Sequence, residues 1–161
     1  MKSVCDLLDE NEAICQVMEP GLISYGGRQQ FSGQIRTIKV FEDNVLVKSA
    51  LRSPGEGAVL VVDGGGSRRC ALMGDMLGDY AVKNGWAGVV IYGCVRDVEL
   101  LDQLDLGVLA LGSMPRKSVK RGEGVEGVEL SFLGVHIRHG DYLYGDRNGV
   151  VISNAPLNGI R

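Results

Sequence analysis

Three stretches of this chain are apolar with almost no interruption: Ala58-Val59-Leu60-Val61-Val62, Ala87-Gly88-Val89-Val90-Ile91-Tyr92 and Leu106-Gly107-Val108-Leu109-Ala110-Leu111. Short continuous runs bounded by turn residues predict strands buried on both faces, as in a parallel sheet. Between the first two, residues from about Asp75 to Asn84 carry Leu77, Tyr80 and Ala81 on one side at helical spacing, and Gly85 supplies a stop. Strand, helix and strand of these lengths make a βαβ unit with parallel strands and a right-handed crossover. A further helix, about Val98 to Leu104, leads into the third run.

The flanking sequence has a different pattern. Ser3 can cap a helix through about Asn11, with Val4, Leu7 and Leu8 on one face, and Gln16-Val17-Met18-Glu19 then runs into Pro20-Gly21. Tyr25 to Gly33 reads as a glycine-punctuated loop. Gln34 to Phe41 alternates apolar and polar, the mark of a half-buried strand, and Gly93 reads as the breaker that ends the second apolar run. Asp43-Asn44 can start a short helix over Val45–Leu51, which Ser53-Pro54-Gly55 ends. After the third run come Val128–Phe132, Val135–Arg138 and Val150–Ser153, short elements of hairpin type with Asn148-Gly149 as a turn signal. The expected fold is α/β: one domain over residues 1–161, with a parallel βαβ core and an antiparallel or barrel-like C-terminal portion.

Composition narrows the function classes. A net charge of −3, with no basic block interleaved with aromatics, gives no case for direct nucleic-acid binding. No stretch approaches the roughly 20 apolar residues of a membrane span, and acids follow Met1 too closely for a secretory leader. Cys5, Cys15, Cys70 and Cys94 are scattered without zinc spacing, so a reduced, cytoplasmic setting is the expectation. Glycine, at 24 of 161 residues, exceeds the usual share of about 7% and implies many tight turns. The cluster Asp63-Gly64-Gly65-Gly66-Ser67 invites a nucleotide or S-adenosylmethionine reading. Its spacing fails, because the third glycine would fall at Arg69.

The candidate chemistry lies where the second buried strand ends, at Gly93-Cys94-Val95-Arg96-Asp97-Val98-Glu99. In a βαβ unit the loops leaving both strands share one sheet edge, where α/β clefts form. The helix start at Gly74-Asp75-Met76-Leu77 should therefore face Arg96 and Asp97. Free backbone N–H groups and a guanidinium together suit a small carboxylate. Asp97, Glu99 and Asp75 add hard oxygen ligands that favour magnesium or manganese. A second reading stands beside this one: Asp97 caps the following helix and Arg96 makes a surface ion pair. His136, His139 and the loop residue Arg28 read as structural or surface groups.

Taken together, Phe41-Glu42-Asp43-Asn44, Val61-Val62-Asp63-Gly64-Gly65-Gly66-Ser67, Gly74-Asp75-Met76-Leu77, Asn84-Gly85-Trp86 and Gly93-Cys94-Val95-Arg96-Asp97 resemble the RraA-like family. That family contains 4-hydroxy-4-methyl-2-oxoglutarate aldolases and the ribonuclease E regulator RraA. The resemblance implies an αββα-type sandwich around a barrel-like sheet, assembled as a homotrimer. It further implies that Gly74, Asp75, Met76, Leu77 and Arg96 bind the pyruvoyl part of a keto acid. Asp75 would orient a water for enolate protonation, Asp97 would hold a Mg2+ or Mn2+ ion, and Glu99 matches a nearby outer acid. The implied reaction is cleavage of 4-hydroxy-4-methyl-2-oxoglutarate to two pyruvates, with oxaloacetate decarboxylation through the same enolate. The alternative it implies is a non-enzymatic regulator that binds ribonuclease E, a type that lacks the acid at the position of Asp97.

Overall fold

The computed structural model of the protein describes residues 1–157, so the last four positions of the expected 1–161 domain lie outside the described residues. The first half of the chain forms α1 (Val4–Asn11), β1 (Cys15–Val17), β2 (Ile23–Ser24), β3 (Phe31–Lys39), α2 (Val45–Leu51), β4 (Val59–Asp63), β5 (Ala71–Met73) and α3 (Asp75–Lys83). The second half forms β6 (Gly88–Val95), α4 (Val98–Leu101), β7 (Gly107–Ser113), β8 (Val125–Glu126), β9 (Leu130–Phe132), β10 (Val135–Ile137), β11 (Tyr142–Asp146) and β12 (Gly149–Ser153).

The three continuous apolar runs are the parallel strands β4, β6 and β7, and the second half of β3 joins them in parallel beside β4. Their side chains alternate between two cores, which is why the runs show no polar face. Leu60, Val62, Val89, Ile91, Val108 and Ala110 point toward the side covered by α2, α3 and α4. Val59, Val61, Val90 and Leu109 point the other way, against Leu143, Val150 and Ile152 of the antiparallel strands and the β9–β10 hairpin. On the far side of that antiparallel layer, Tyr144 and Val151 pack against Val4 and Leu7 of α1. Helices, sheet, sheet and helix are thus stacked in the order the resemblance implied.

One long sheet supplies both inner layers. Its order is β1-β12-β11-β3-β4-β6-β7-β2, with β1 and β2 at opposite ends of the path although only Met18–Leu22 separates them in sequence. That short link draws the two edges together and gives the sheet its barrel-like closure. Met18 donates to the Val150 carbonyl at 3.0 Å, continuing the β1–β12 ladder, and Glu19 to the Leu133 carbonyl of the β9–β10 turn at 2.9 Å.

Several expected boundaries shift. Gly93 does not end β6, which continues to Val95 because the strand keeps partners on both sides, β5 at Cys94 and β7 at Gly112, past an irregularity in register. β3 starts at Phe31, inside the expected loop, where β11 pairs with it antiparallel. The helix expected over Val98–Leu104 is a single turn, Val98–Leu101. At the β11–β12 hairpin the turn residues are Arg147-Asn148, and the Asp146 carboxylate accepts from the Asn148 amide at 2.8 Å.

Candidate functional site

β6 ends at Val95, so Arg96 and Asp97 are the first residues past the carboxyl end of a strand buried along its length. β5 lies beside this end, and the Arg96 amide donates to the Met73 carbonyl at 2.9 Å. Gly74, the residue after that strand, is the N-cap of α3 and starts the helix with no side chain to cap it. The predicted juxtaposition of the α3 N-terminus with Arg96-Asp97 is therefore present, and a three-residue strand absent from the sequence reading builds it.

Asp97 has φ +56°, ψ 43°, a left-handed conformation that costs an aspartate on the order of 1 kcal/mol. That geometry directs its carboxylate away from its own helix. It occupies the N-cap position of α4 without a side-chain bond there, and its Oδ2 instead accepts from the Asp75 amide of α3 at 3.3 Å. The capping alternative thus takes a form not foreseen: Asp97 caps the neighbouring helix. Gly74 permits the approach, since a Cβ there would stand 2.5 Å from Asp97 Oδ2. Arg96 Nε lies 3.9 Å from the same oxygen, and Arg96 Nη1 donates to the Pro115 carbonyl at 3.3 Å. The Arg96 and Asp97 side chains are 41% and 36% exposed, so this is an open, solvated ion pair that contributes little to stability.

The first intrahelical bond of α3 runs from the Gly78 amide to the Gly74 carbonyl. The first-turn amides of Met76 and Leu77 therefore have no acceptor one turn back along the helix and carry its positive end. The Met76 side chain is exposed, whereas Leu77 is buried in the helix-side core and fixes the turn to the sheet. Hydrogen bonding to the Asp97 carboxylate raises the pKa of Asp75, and burial and the charge of Asp97 push it the same way. A neighbouring carboxylate disfavours the charged form of Asp75, as does partial desolvation. Glu99 sits exposed on the single turn of α4. Among the described residues no hydrogen bond or ion pair joins it to Asp75, Arg96 or Asp97.

As a donor set this edge is hard: two carboxylates and the Pro115 carbonyl. Cys94 nearby is buried and desolvation raises its thiol pKa, so it offers no thiolate. Among the described residues no three His, Cys, Asp or Glu side chains converge as a ligand cage. A cation here would keep several water or substrate oxygens, as magnesium-type sites do.

The remaining candidates fall elsewhere. The amides of the glycine cluster are used up inside the protein: Gly64 and Gly66 donate to the Tyr92 carbonyl at 3.0 and 3.1 Å, and Gly65 to Asp63 Oδ1 at 2.8 Å. β5 follows, not a helix, so no phosphate or cofactor cradle forms. Arg28 pairs with Asp105 at 2.9 Å. His139 Nδ1 accepts from the Thr37 amide at 3.2 Å, and His136 bonds to Ser131 at 2.6 Å and to Glu129 at 2.5 Å on the exposed face of the β9–β10 hairpin. Both histidines are held by local partners. No helix among the described residues is long and apolar enough to cross a membrane. Sequence reading missed Pro115, whose part in the site depends only on its carbonyl, and gave Asp43 and Asn44 no role beyond starting α2.

The whole chain resembles known proteins in sequence and fold. The family description "RraA-like: Aldolase/RraA" matches residues 2–152. A protein of Pseudomonas syringae pv. tomato with a provisional 4-hydroxy-4-methyl-2-oxoglutarate aldolase name is 58% identical over 152 residues, covering 94% of each chain. One from Laribacter hongkongensis with the same provisional name is 55% identical, covering 94% of this chain and 96% of its own. Among solved structures, one from Geobacillus kaustophilus named as an S-adenosylmethionine:2-dimethylmenaquinone methyltransferase superposes with a TM-score of 0.95 at 48% identity, covering 96% of each chain. The RNA-processing inhibitor RraA from Thermus superposes with a TM-score of 0.95 at 43% identity, covering 100% of this chain and 98% of its own. With matching fold, matching length and a family match over nearly all described residues, the chain belongs to the RraA-like family.

Proposed function

We propose that this protein is a divalent-metal-dependent lyase that cleaves 4-hydroxy-4-methyl-2-oxoglutarate to two pyruvates and decarboxylates oxaloacetate through the same pyruvate enolate. The observation that carries the reading is the placement of Asp97, an acid held in a left-handed backbone beside Arg96 and against the α3 N-terminus. The provisional names of the aldolase relatives support it.

Arg96 would grip the substrate carboxylate through its planar fork, with the first-turn amides of Met76 and Leu77 facing the same group. Asp97, with water, would hold a Mg2+ or Mn2+ ion, leaving Glu99 as an outer acid. When bound, such a cation supplies Lewis-acid stabilisation of the charge that develops on the keto oxygen. Asp75 holds its proton to higher pH than an ordinary carboxylate because Asp97 hydrogen-bonds to it. In this reading Asp75 would orient the water that protonates the enolate carbon. The openness of the site suits a homotrimer in which a neighbouring copy covers it, as the family resemblance implies.

The second reading, a regulator that binds ribonuclease E, draws on the likeness to the Thermus RNA-processing inhibitor. Asp97 divides the two, since the regulator type lacks that acid. The methyltransferase name of the Geobacillus neighbour finds no support in the glycine loop, whose amides are already bonded.

Pyruvate release from oxaloacetate and from the aldol, with and without added Mg2+ or Mn2+, tests the proposal. Wild type is expected to show metal-dependent turnover and Asp97→Ala to lose about 100-fold or more in kcat, the scale on which removing a charge-stabilising group acts. Absence of metal-dependent turnover in wild type, or full rate in Asp97→Ala, would overturn it.

A further inference from the structure

Two buried polar residues between β3 and α2 take no part in the reaction just described. Asp43 is 2% and Asn44 9% exposed. A buried polar group needs its hydrogen bonds made, so its partners reveal what it holds in place. Asp43 Oδ1 accepts from the Val45 amide at 3.1 Å, and its Oδ2 from the amides of Arg121 and Glu123 at 2.9 and 3.1 Å. Asn44 Nδ2 donates to the Leu72 carbonyl at 3.1 Å, and Lys120 Nζ donates to Asn44 Oδ1 at 3.1 Å.

Apart from Val45 of α2, those partners belong to two segments of the chain. One is a strap that leaves β7 and crosses the ends of its neighbours. Along it the Met114 amide donates to Val95, the Pro115 carbonyl accepts from Arg96 Nη1, the Arg116 carbonyl accepts from Ala71, and the Val119 amide donates to Glu42. The other is β5, whose Leu72 lies two residues before Gly74 and whose Met73 carbonyl receives the Arg96 amide. One half of the site, Arg96, leans on the strap through Pro115. The other half, Gly74-Asp75, is the direct continuation of β5. Asn44 bonds to both pieces, and Asp43 fixes the far end of the strap.

We propose that Asn44, seated beside Asp43, is a positioning residue that sets the separation between the Arg96 guanidinium and the α3 N-terminus, and so the fit of the substrate carboxylate between them. This rests on the keto-acid reading above and adds a residue to it. A group held between a side chain and helix amides is sensitive to their spacing, and a shift of about 1 Å can cost up to about 100-fold.

The test is Asn44→Ala assayed for oxaloacetate decarboxylation, with amide hydrogen exchange measured on the same protein. The KM is expected to rise about tenfold or more while kcat changes less, because both displaced elements grip the carboxylate. A merely structural role would lower the active fraction, and so apparent kcat, and leave KM where it was. Exchange should quicken over Leu72–Asp75 and Met114–Lys117 and stay unchanged in β11 and β12. Lys120→Met, which keeps the Leu72 bond, should raise KM less and loosen the strap alone. It serves as the decisive variant if Asn44→Ala does not fold. If wild type turns over and the variant keeps the wild-type KM, or if exchange at the two segments is unaltered, the positioning role is wrong. If wild type shows no turnover, the keto-acid reading fails instead, and exchange by itself decides whether Asn44 holds the two segments.

Discussion

The N-termini of α1 and α3 solve the same problem in opposite ways. At α1 the cap residue supplies its own side chain: Ser3 Oγ accepts from the Asp6 amide at 3.1 Å, while a carboxylate distant in sequence, Asp146, takes the Val4 amide at 2.9 Å. At α3 the cap residue is a glycine with no side chain to offer; Asp97, 22 residues away, takes the Asp75 amide at 3.3 Å, and the Asp75 carboxylate turns back to the Met76 amide. One end is capped by its own serine and faces the antiparallel layer. The other is under-capped, beside an exposed arginine and a second acid whose pKa is raised. A helix start whose cap has no side chain, held beside an acid in a strained backbone, is arranged for something other than stability.

Substitutions at the two ends should separate stability from activity. Asp75→Asn carries the largest expected effect, a fall in kcat of roughly 100-fold or more if Asp75 orients the protonating water. Its effect on stability has the opposite sign. The pKa of Asp75 is raised in the folded state, so wild type loses stability as pH climbs from the ordinary carboxylate range through the folded value. Asp75→Asn should therefore melt higher than wild type at neutral pH, with the gap closing below the ordinary carboxylate range in thermal scans across pH. Gly74→Ala comes next. Its Cβ would meet the movable end of Asp97 and not backbone, so the protein should fold while the carboxylate is pushed off the helix. A loss of about 10- to 100-fold in kcat/KM with a small change in Tm is expected. Ser3→Ala should cost about 1 kcal/mol and a few degrees of Tm, with kcat and KM untouched. An activity change in Ser3→Ala, or a destabilised Asp75→Asn, would erase the contrast.

Much of this was legible in the chain. The uninterrupted apolar runs gave the parallel strands because two cores bury both of their faces, and Ser3, Asn11, Val45 and Leu51 mark helix limits that the structure keeps. The pairing of Gly74-Asp75 with Arg96-Asp97 followed from βαβ geometry alone. What the sequence hid were contacts made by backbone. β5 is three residues, Ala71-Leu72-Met73, wedged between a glycine turn and a helix, too short for any periodicity to declare itself. β11, Tyr142–Asp146, shows no alternation because Leu143 enters one core and Tyr144 another. The strap from Met114 onward makes isolated bridges, which depend on position and not on residue type. Asp43 and Asn44 looked like the start of a helix, and so they are, but their side chains reach across to distant segments.

The closure of the sheet bears on how the protein is made. Cys15 pairs with Ser153 and Met18 bonds to Val150, so the β1–β12 ladder behind that closure joins the first strand of the described chain to its last. During synthesis the parallel strands β3, β4, β6 and β7 can find one another as they emerge, but their inner face stays uncovered until β11 and β12 leave the ribosome. Contacts of such separation form slowly and leave apolar surface open in the meantime. A nascent chain stalled before Tyr142 would expose that face and be a natural client for chaperones.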